Sequence, residues 1–113
     1  MENNSLPLGA GYSAKDVAKA KAVLARFYSW LNINPEAWAF AERLFVERME
    51  KGETISGAWL VEQVRKKSFV DREGNDTKVN NDFAPIIIRL LLKKYPEALP
   101  LVEKRATIFE WLL

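Results

Sequence analysis

The stretch 80-NNDFAPIIIRLLLKKYP-96 decides the fold. It opens on three residues of capping type, Asn80, Asn81 and Asp82, and places Pro85 where a first helical turn tolerates proline. Ile86, Ile87, Ile88, Leu90, Leu91 and Leu92 follow, interrupted only by Arg89. Lys93 and Lys94 then suit the negative end of a helix dipole, and Pro96 stops the helix. Six large aliphatics in seven positions would cover most of a helix circumference, so other elements must surround it. The spacing predicts a central core helix over 83–94.

Working upstream, residues 68–80 change character. Ser68-Phe69-Val70 and Thr77-Lys78-Val79 lean towards strand, and the polar loop 71–76 lies between them, which predicts a short β-hairpin. The loop is not an EF-hand, because Gly74 at the sixth position puts Phe69 at the first. Before it, Leu60, Val61 and Val64 form the inner face of a helix over 57–67, capped by Thr54 or Ser56 and leaving through Arg65, Lys66 and Lys67. A helix over 35–50 presents Trp38, Ala41, Leu44, Phe45 and Met49, with Asn34 as N-cap, Pro35 first and Lys51-Gly52 as its end. The first helix spans 14–31, begins with the capping box Ser13–Asp16, and shows Val17, Ala20, Leu24, Phe27, Tyr28 and Leu31.

Residues 1–12 read as a flexible lead-in, with one helical domain over 13–113. Gly9, Gly11 and Ala14 match a G-x-G-x-x-A pattern, but no hydrophobic strand precedes them, so a dinucleotide loop is rejected. Downstream of the central helix, Pro96 and Pro100 lead into a last helix over 98–112. Its stripe is Leu101, Val102, Arg105, Ile108, Phe109 and Leu112, and its apolar end must dock on the body or on a partner.

The 113 residues suffice for one core, and 49% apolar with 28% charged residues is ordinary for a globular chain. No cysteine is present, so disulfides and thiolate chemistry are excluded. No histidine is present either, which removes Ser-His and Cys-His nucleophiles and most transition-metal sites. A non-enzyme without cofactors is expected. The beginning, MENNSLPLGAGYS, is acidic and polar rather than basic then apolar, and no apolar run approaches the ~20 residues of a membrane span. The expectation is a cytoplasmic protein without membrane contact, in which the sequons at Asn3 and Asn75 carry no glycan.

Charge is uneven. Between 65 and 94 eight cations face four anions, whereas the first 56 residues carry seven of each. The expected nucleic-acid or partner-binding residues are therefore Arg65, Lys66, Lys67, Arg72, Lys78, Asn80, Arg89, Lys93 and Lys94. Helix, hairpin and capped helix together admit a winged-helix-like reader of DNA. Arg89 among six aliphatics should be partly buried and needs an anion, with Glu97 or Glu103 as the expected partner. Glu42, Glu47, Glu50 and Glu53 alternate with Arg43 and Arg48, the pattern of an exposed salt-bridged face. Tyr28, Trp30, Trp38, Trp59 and Trp111 cannot all be interior, and those at the surface would mark a protein interface.

One run has the spacing of a known group. Val64-Arg65-Lys66, Lys78-Val79-Asn80-Asn81, Arg89, Tyr95-Pro96-Glu97 and Val102-Glu103-Lys104-Arg105 stand in that order. Over 55–105 the chain resembles small uncharacterised proteins encoded in phages and prophages. Those proteins commonly have Trp and His after the arginine of the third helix, where this chain has Lys66 and Lys67. The resemblance implies a mobile-element origin and a compact helical domain with a hairpin, and implies no chemistry. The overall expectation is a mainly α domain of about five helices that binds nucleic acid or a nucleoprotein complex. The alternative is a protein adaptor or inhibitor of a host or phage enzyme, acting through exposed aromatics, with a homodimer admitted.

Overall fold

The computed structural model describes residues 11–103 and 107–113, with Trp111 by its backbone alone. The order is α1 (Ala14–Ile33), α2 (Pro35–Lys51), β1 (Ile55–Ser56), α3 (Gly57–Lys67), α4 (Ala84–Lys94), β2 (Val102–Glu103) and α5 (Phe109–Leu112). Short 3-10 turns at Asn81–Phe83 and Pro96–Leu101 flank α4. The fold is mainly helical, as the periodicity indicates.

Most element ends follow local hydrogen-bonding chemistry. Ser13 and Asp16 form the capping box, each side chain accepting from the other's backbone N–H at 3.1 Å. Gly52 ends α2 at φ 70°, a conformation glycine adopts without steric penalty. Ser56 rather than Thr54 caps α3, its Oγ accepting from the Trp59 N–H at 3.1 Å.

The α4 helix is the core element that its apolar run predicts. Ile86, Ile87, Ile88 and Leu91 are fully buried, and Leu90 and Leu92 are half-buried. The start of α3 crosses the start of α4 at Gly57, where a β-carbon would lie 2.4 Å from the Ala84 carbonyl oxygen. Phe27 of α1 is the second centre of the core. Its ring meets Tyr28, Trp30, Trp38 and Phe83 at centroid separations of 5.5, 5.9, 6.0 and 5.4 Å.

Four local expectations need correction. The last helix over 98–112 is instead a 3-10 turn, a two-residue strand and the four-residue α5. Pro100, with its fixed φ and missing N–H, interrupts the helical ladder there. Arg105 and the lead-in before residue 11 lie outside the described residues. The hairpin over 68–80 is reduced to one antiparallel bridge, Val70 with Asp76. The two-strand sheet lies elsewhere and is parallel, with Ile55 opposite Val102 and Ser56 opposite Glu103.

Asn34 stands at the N-cap of α2 without a side-chain capping bond. It is buried, donates from Nδ2 to the Trp30 carbonyl at 2.9 Å, and accepts from the Thr77 hydroxyl at 2.5 Å. That bond ties loop 68–80 back to the α1–α2 joint, helped by the Arg72 N–H donating to the Ile33 carbonyl at 2.9 Å. Tyr28, expected on the inner stripe, is 46% exposed because Phe27 occupies the inward position beside it.

Candidate nucleic-acid interface

The cations of residues 65–94 do not form one surface. Arg89 is only 6% exposed and does not face solvent. Its Nε and Nη2 donate to Glu110 Oε1 at 3.1 and 2.6 Å, and Nη1 donates to the Pro85 carbonyl at 3.0 Å. The partner is thus Glu110, not Glu97 or Glu103, because the shortened C-terminal segment brings α5 across α4. A guanidinium held this way locks α5 to the core, a structural use of the cation rather than a presentation of it in solvent.

Lys94 is likewise committed. Its Nζ lies 2.6 Å from Glu42 Oε2, the same oxygen that accepts from the Tyr95 hydroxyl at 2.6 Å. Glu42 therefore departs from the exposed face expected of it, with its side chain only 20% exposed. The hydrogen bond from Lys94, then that from Tyr95, holds the Glu42 carboxyl below its usual range. The bond to Glu42 raises both the Lys94 ammonium and the Tyr95 phenol. By contrast, Arg43–Glu47 at 3.9 Å and Arg48–Glu53 at 4.0 Å are the loose surface pairs the pattern predicts.

Arg65 braces the loop, donating from Nη2 to the Val79 carbonyl at 2.9 Å while Nη1 faces Glu62 at 3.9 Å. Asn80 caps the following turn by accepting from the Asp82 N–H at 2.8 Å. Lys78 lines a mixed-charge groove with Asn34, Asp71 and Asp76. Lys66, Lys67, Arg72, Lys78 and Lys93 remain exposed, with no ion pair among the described residues.

Around Lys67 the tertiary structure builds a cluster. Ser68 caps α3 at φ 61°, a left-handed conformation uncommon for a residue with a β-carbon. The turn it makes carries Phe69 back onto Phe40 of α2, ring centroids 5.3 Å apart. Lys67 Nζ and the Arg43 guanidinium lie 5.8 and 5.3 Å from the Phe40 centroid. Both rings are half-buried, packed against the core at one edge, and the next residue, Val70, is exposed. Two rings and two cations, Arg43 and Lys67, thus share one surface, and Lys66 stands exposed next in the chain at the end of α3.

Residues two apart on an α-helix point about 200° apart. Phe40 and Glu42 therefore serve opposite flanks of α2, which separates Lys67 from Lys94. Phe40, Arg43 and Phe69 were absent from the sequence-derived set. The i,i+3 pairing of Phe40 with Arg43 is visible in the sequence, but nothing local brings Phe69 to it.

The aromatics expected at the surface are mostly engaged elsewhere. Trp30 is buried, Trp38 packs on Phe27, and Trp59 lies 3.9 Å beneath the Arg48 guanidinium. Tyr28 is exposed, and the Trp111 side chain lies outside the described residues. Among the described residues no helix is long and apolar enough to cross a membrane, and no cluster of candidate ligands would hold a metal ion. Fold and site define a small, mainly α-helical domain with an aromatic–cationic surface around Phe40. No protein-family model, curated protein or solved structure matches the chain.

Proposed function

We propose that this protein is a non-catalytic binding protein of phage or mobile-element type, acting on nucleic acid or a nucleoprotein complex. One observation supports this above the others: Lys66 and Lys67 end α3 in solvent, unpaired with any carboxylate among the described residues, and Lys67 lies over the Phe40 ring that Phe69 and Arg43 also meet. The helix dipole accounts for lysines in a last turn but leaves their N–H donors open to phosphate. The site is therefore narrower than the whole 65–94 segment.

The carboxylates that share grooves are already in use. Asp16 caps α1, and its groove-mate Asp82 faces Arg26 at 3.8 Å. Asp71 accepts from the Glu73 and Asn75 N–H groups at 2.8 and 3.0 Å, both through Oδ1, which commits it to the loop turn beside Asp76 in their groove. These commitments favour binding over acid–base catalysis.

A protein-adaptor reading draws on a different place. Leu92, Pro96, Leu99 and Leu113 line a groove of about 240 Å³ beside Lys93, and Leu99 is 55% exposed. Anisotropy titration with mixed-sequence DNA at low and physiological salt separates the two readings. Binding through phosphates weakens steeply with salt, by a log–log slope of about −2 on a single strand and nearly −3 on a duplex for three contacts. An apolar groove would show no DNA binding at either salt.

A further inference from the structure

We propose that the strand this face accepts is unpaired: its bases stack on the Phe40–Phe69 rings while its phosphates pass Lys66, Lys67 and Arg43. This proposal rests on the nucleic-acid reading above and names the class of polymer.

A duplex reader needs an element that enters a groove, and the obvious candidates are occupied. α4 is sealed inside the core, with Ile86, Ile87 and Leu91 at 0% exposure. Loop 68–80 does not stand out as a wing. Thr77 holds it to Asn34, the Arg72 N–H holds it to Ile33, and Arg65 holds its far end at the Val79 carbonyl. What remains on the surface is shallow and aromatic, and an aromatic surface offers a π-face to bases that a duplex keeps stacked within itself.

The cations over Phe40 also sit loosely. Arg43 and Lys67 stand 5.3 and 5.8 Å from the ring centroid, against 3.9 Å for Arg48 over Trp59. Lys67 meets no carboxylate among the described residues, and Arg43 has only the loose 3.9 Å pair with Glu47. The two can therefore swing from the ring to a phosphate and leave the face to a base. Both flexible side chains then act on the backbone of the same strand whose base occupies the ring. Ser68 supports the arrangement, because its left-handed backbone is what sets Phe69 beside Phe40.

The test is fluorescence anisotropy with labelled oligodeoxythymidylate, oligouridylate and a DNA duplex of equal length. It compares the native protein with Phe69→Leu, Phe40→Leu and the double variant Lys66→Glu, Lys67→Glu. Leucine keeps apolar volume and removes the π-face, and a thermal melt confirms that each variant is folded. The expected result is single strands bound at least about tenfold more tightly than duplex, with Phe69→Leu erasing about tenfold of that affinity while duplex binding stays put. Preference between the deoxy and ribo strands then tells which polymer the face takes. Equal binding to strand and duplex, untouched by either leucine, overturns the stacking proposal and leaves the nucleic-acid reading standing. No binding to any oligonucleotide at low salt overturns both and points to a protein partner.

Discussion

On one flank of α2, Lys94 stands 2.6 Å from a Glu42 oxygen that also receives the Tyr95 hydroxyl. On the other, Lys67 leans on the Phe40 ring at 5.8 Å and meets no carboxylate among the described residues. Each flank has a lysine from the last turn of a helix and an aromatic ring beside it. The difference is one half-buried acid. Where Glu42 is present, the charge of an exposed lysine is neutralised by a half-buried acid, and the pair binds α2 to the end of α4. Where it is missing, positive charge and ring faces stay turned outward. A lysine's position at a helix end therefore says little about its role until the neighbouring element is known.

The largest effect should come where both flanks depend on one contact. Gly57→Ala would force a β-carbon to 2.4 Å from the Ala84 carbonyl and push α3 off α4. Urea unfolding should show a loss of about 3 kcal/mol, at the upper end of what overpacking usually costs. A loss under about 0.5 kcal/mol would mean that the crossing relaxes freely and does not fix either flank.

The next two experiments break one flank at a time. Lys66→Glu with Lys67→Glu should weaken oligonucleotide binding roughly a hundredfold, since like charges across an interface cost several kcal/mol. Stability should fall by about 1 kcal/mol, because two acids then oppose the dipole at the end of α3, and the protein should stay folded. Glu42→Gln should lower stability by about 1–2 kcal/mol through loss of a charged acceptor shared by two donors, with binding unchanged. If Glu42→Gln weakens binding instead, the flanks are not independent.

The Glu42 flank should also respond to pH with a defined sign. The Glu42 carboxyl is lowered from 4.5 in the fold, so its contribution is present above that value and fades as pH falls. Lys94 and Tyr95 are raised from 10.5 and 10.0, so their contributions hold below those values and are lost as pH rises past them. Melting temperatures across pH should fall at both ends, and Glu42→Gln should flatten both falls. A Gln variant with an unaltered profile would show that other groups control it.

The smallest expected effect sharpens the Phe40 flank. Ser68→Gly relieves a non-glycine residue at φ 61° and should stabilise the protein by about 0.5–1 kcal/mol, read as a shift in the urea midpoint. Destabilisation would mean that the Ser68 side chain, rather than the turn it occupies, holds Phe69 in place.

Residues near one another in sequence declared most of the helices. The box at Ser13–Asp16, the stop at Gly52, the cap at Ser56 and the apolar run of α4 all act within a few residues of the backbone groups they satisfy. Backbone donors at a helix start must be met locally, and six aliphatics around one helix demand burial whatever surrounds them. For the same reason Arg89 could be read as an inward cation before any partner was known.

Partner choice followed a different logic. Glu97, Glu103 and Glu110 are chemically equal acceptors, and only the break at Pro100 with the return of α5 selects Glu110. Asn34 had an ordinary local use as a cap and was diverted to Thr77, because loop 68–80 folds back within its reach. The two-residue strands carry too little pattern to announce their parallel pairing. Phe40 and Phe69 met for the same kind of reason, through a turn at Ser68 that no periodicity encodes. The sequence by itself determined which segments are helical and which side of each is apolar, since those depend on short-range hydrogen bonds and burial. Only the tertiary structure decided which cations are neutralised and which face outward, because that depends on the long-range packing that brings acids and rings to them.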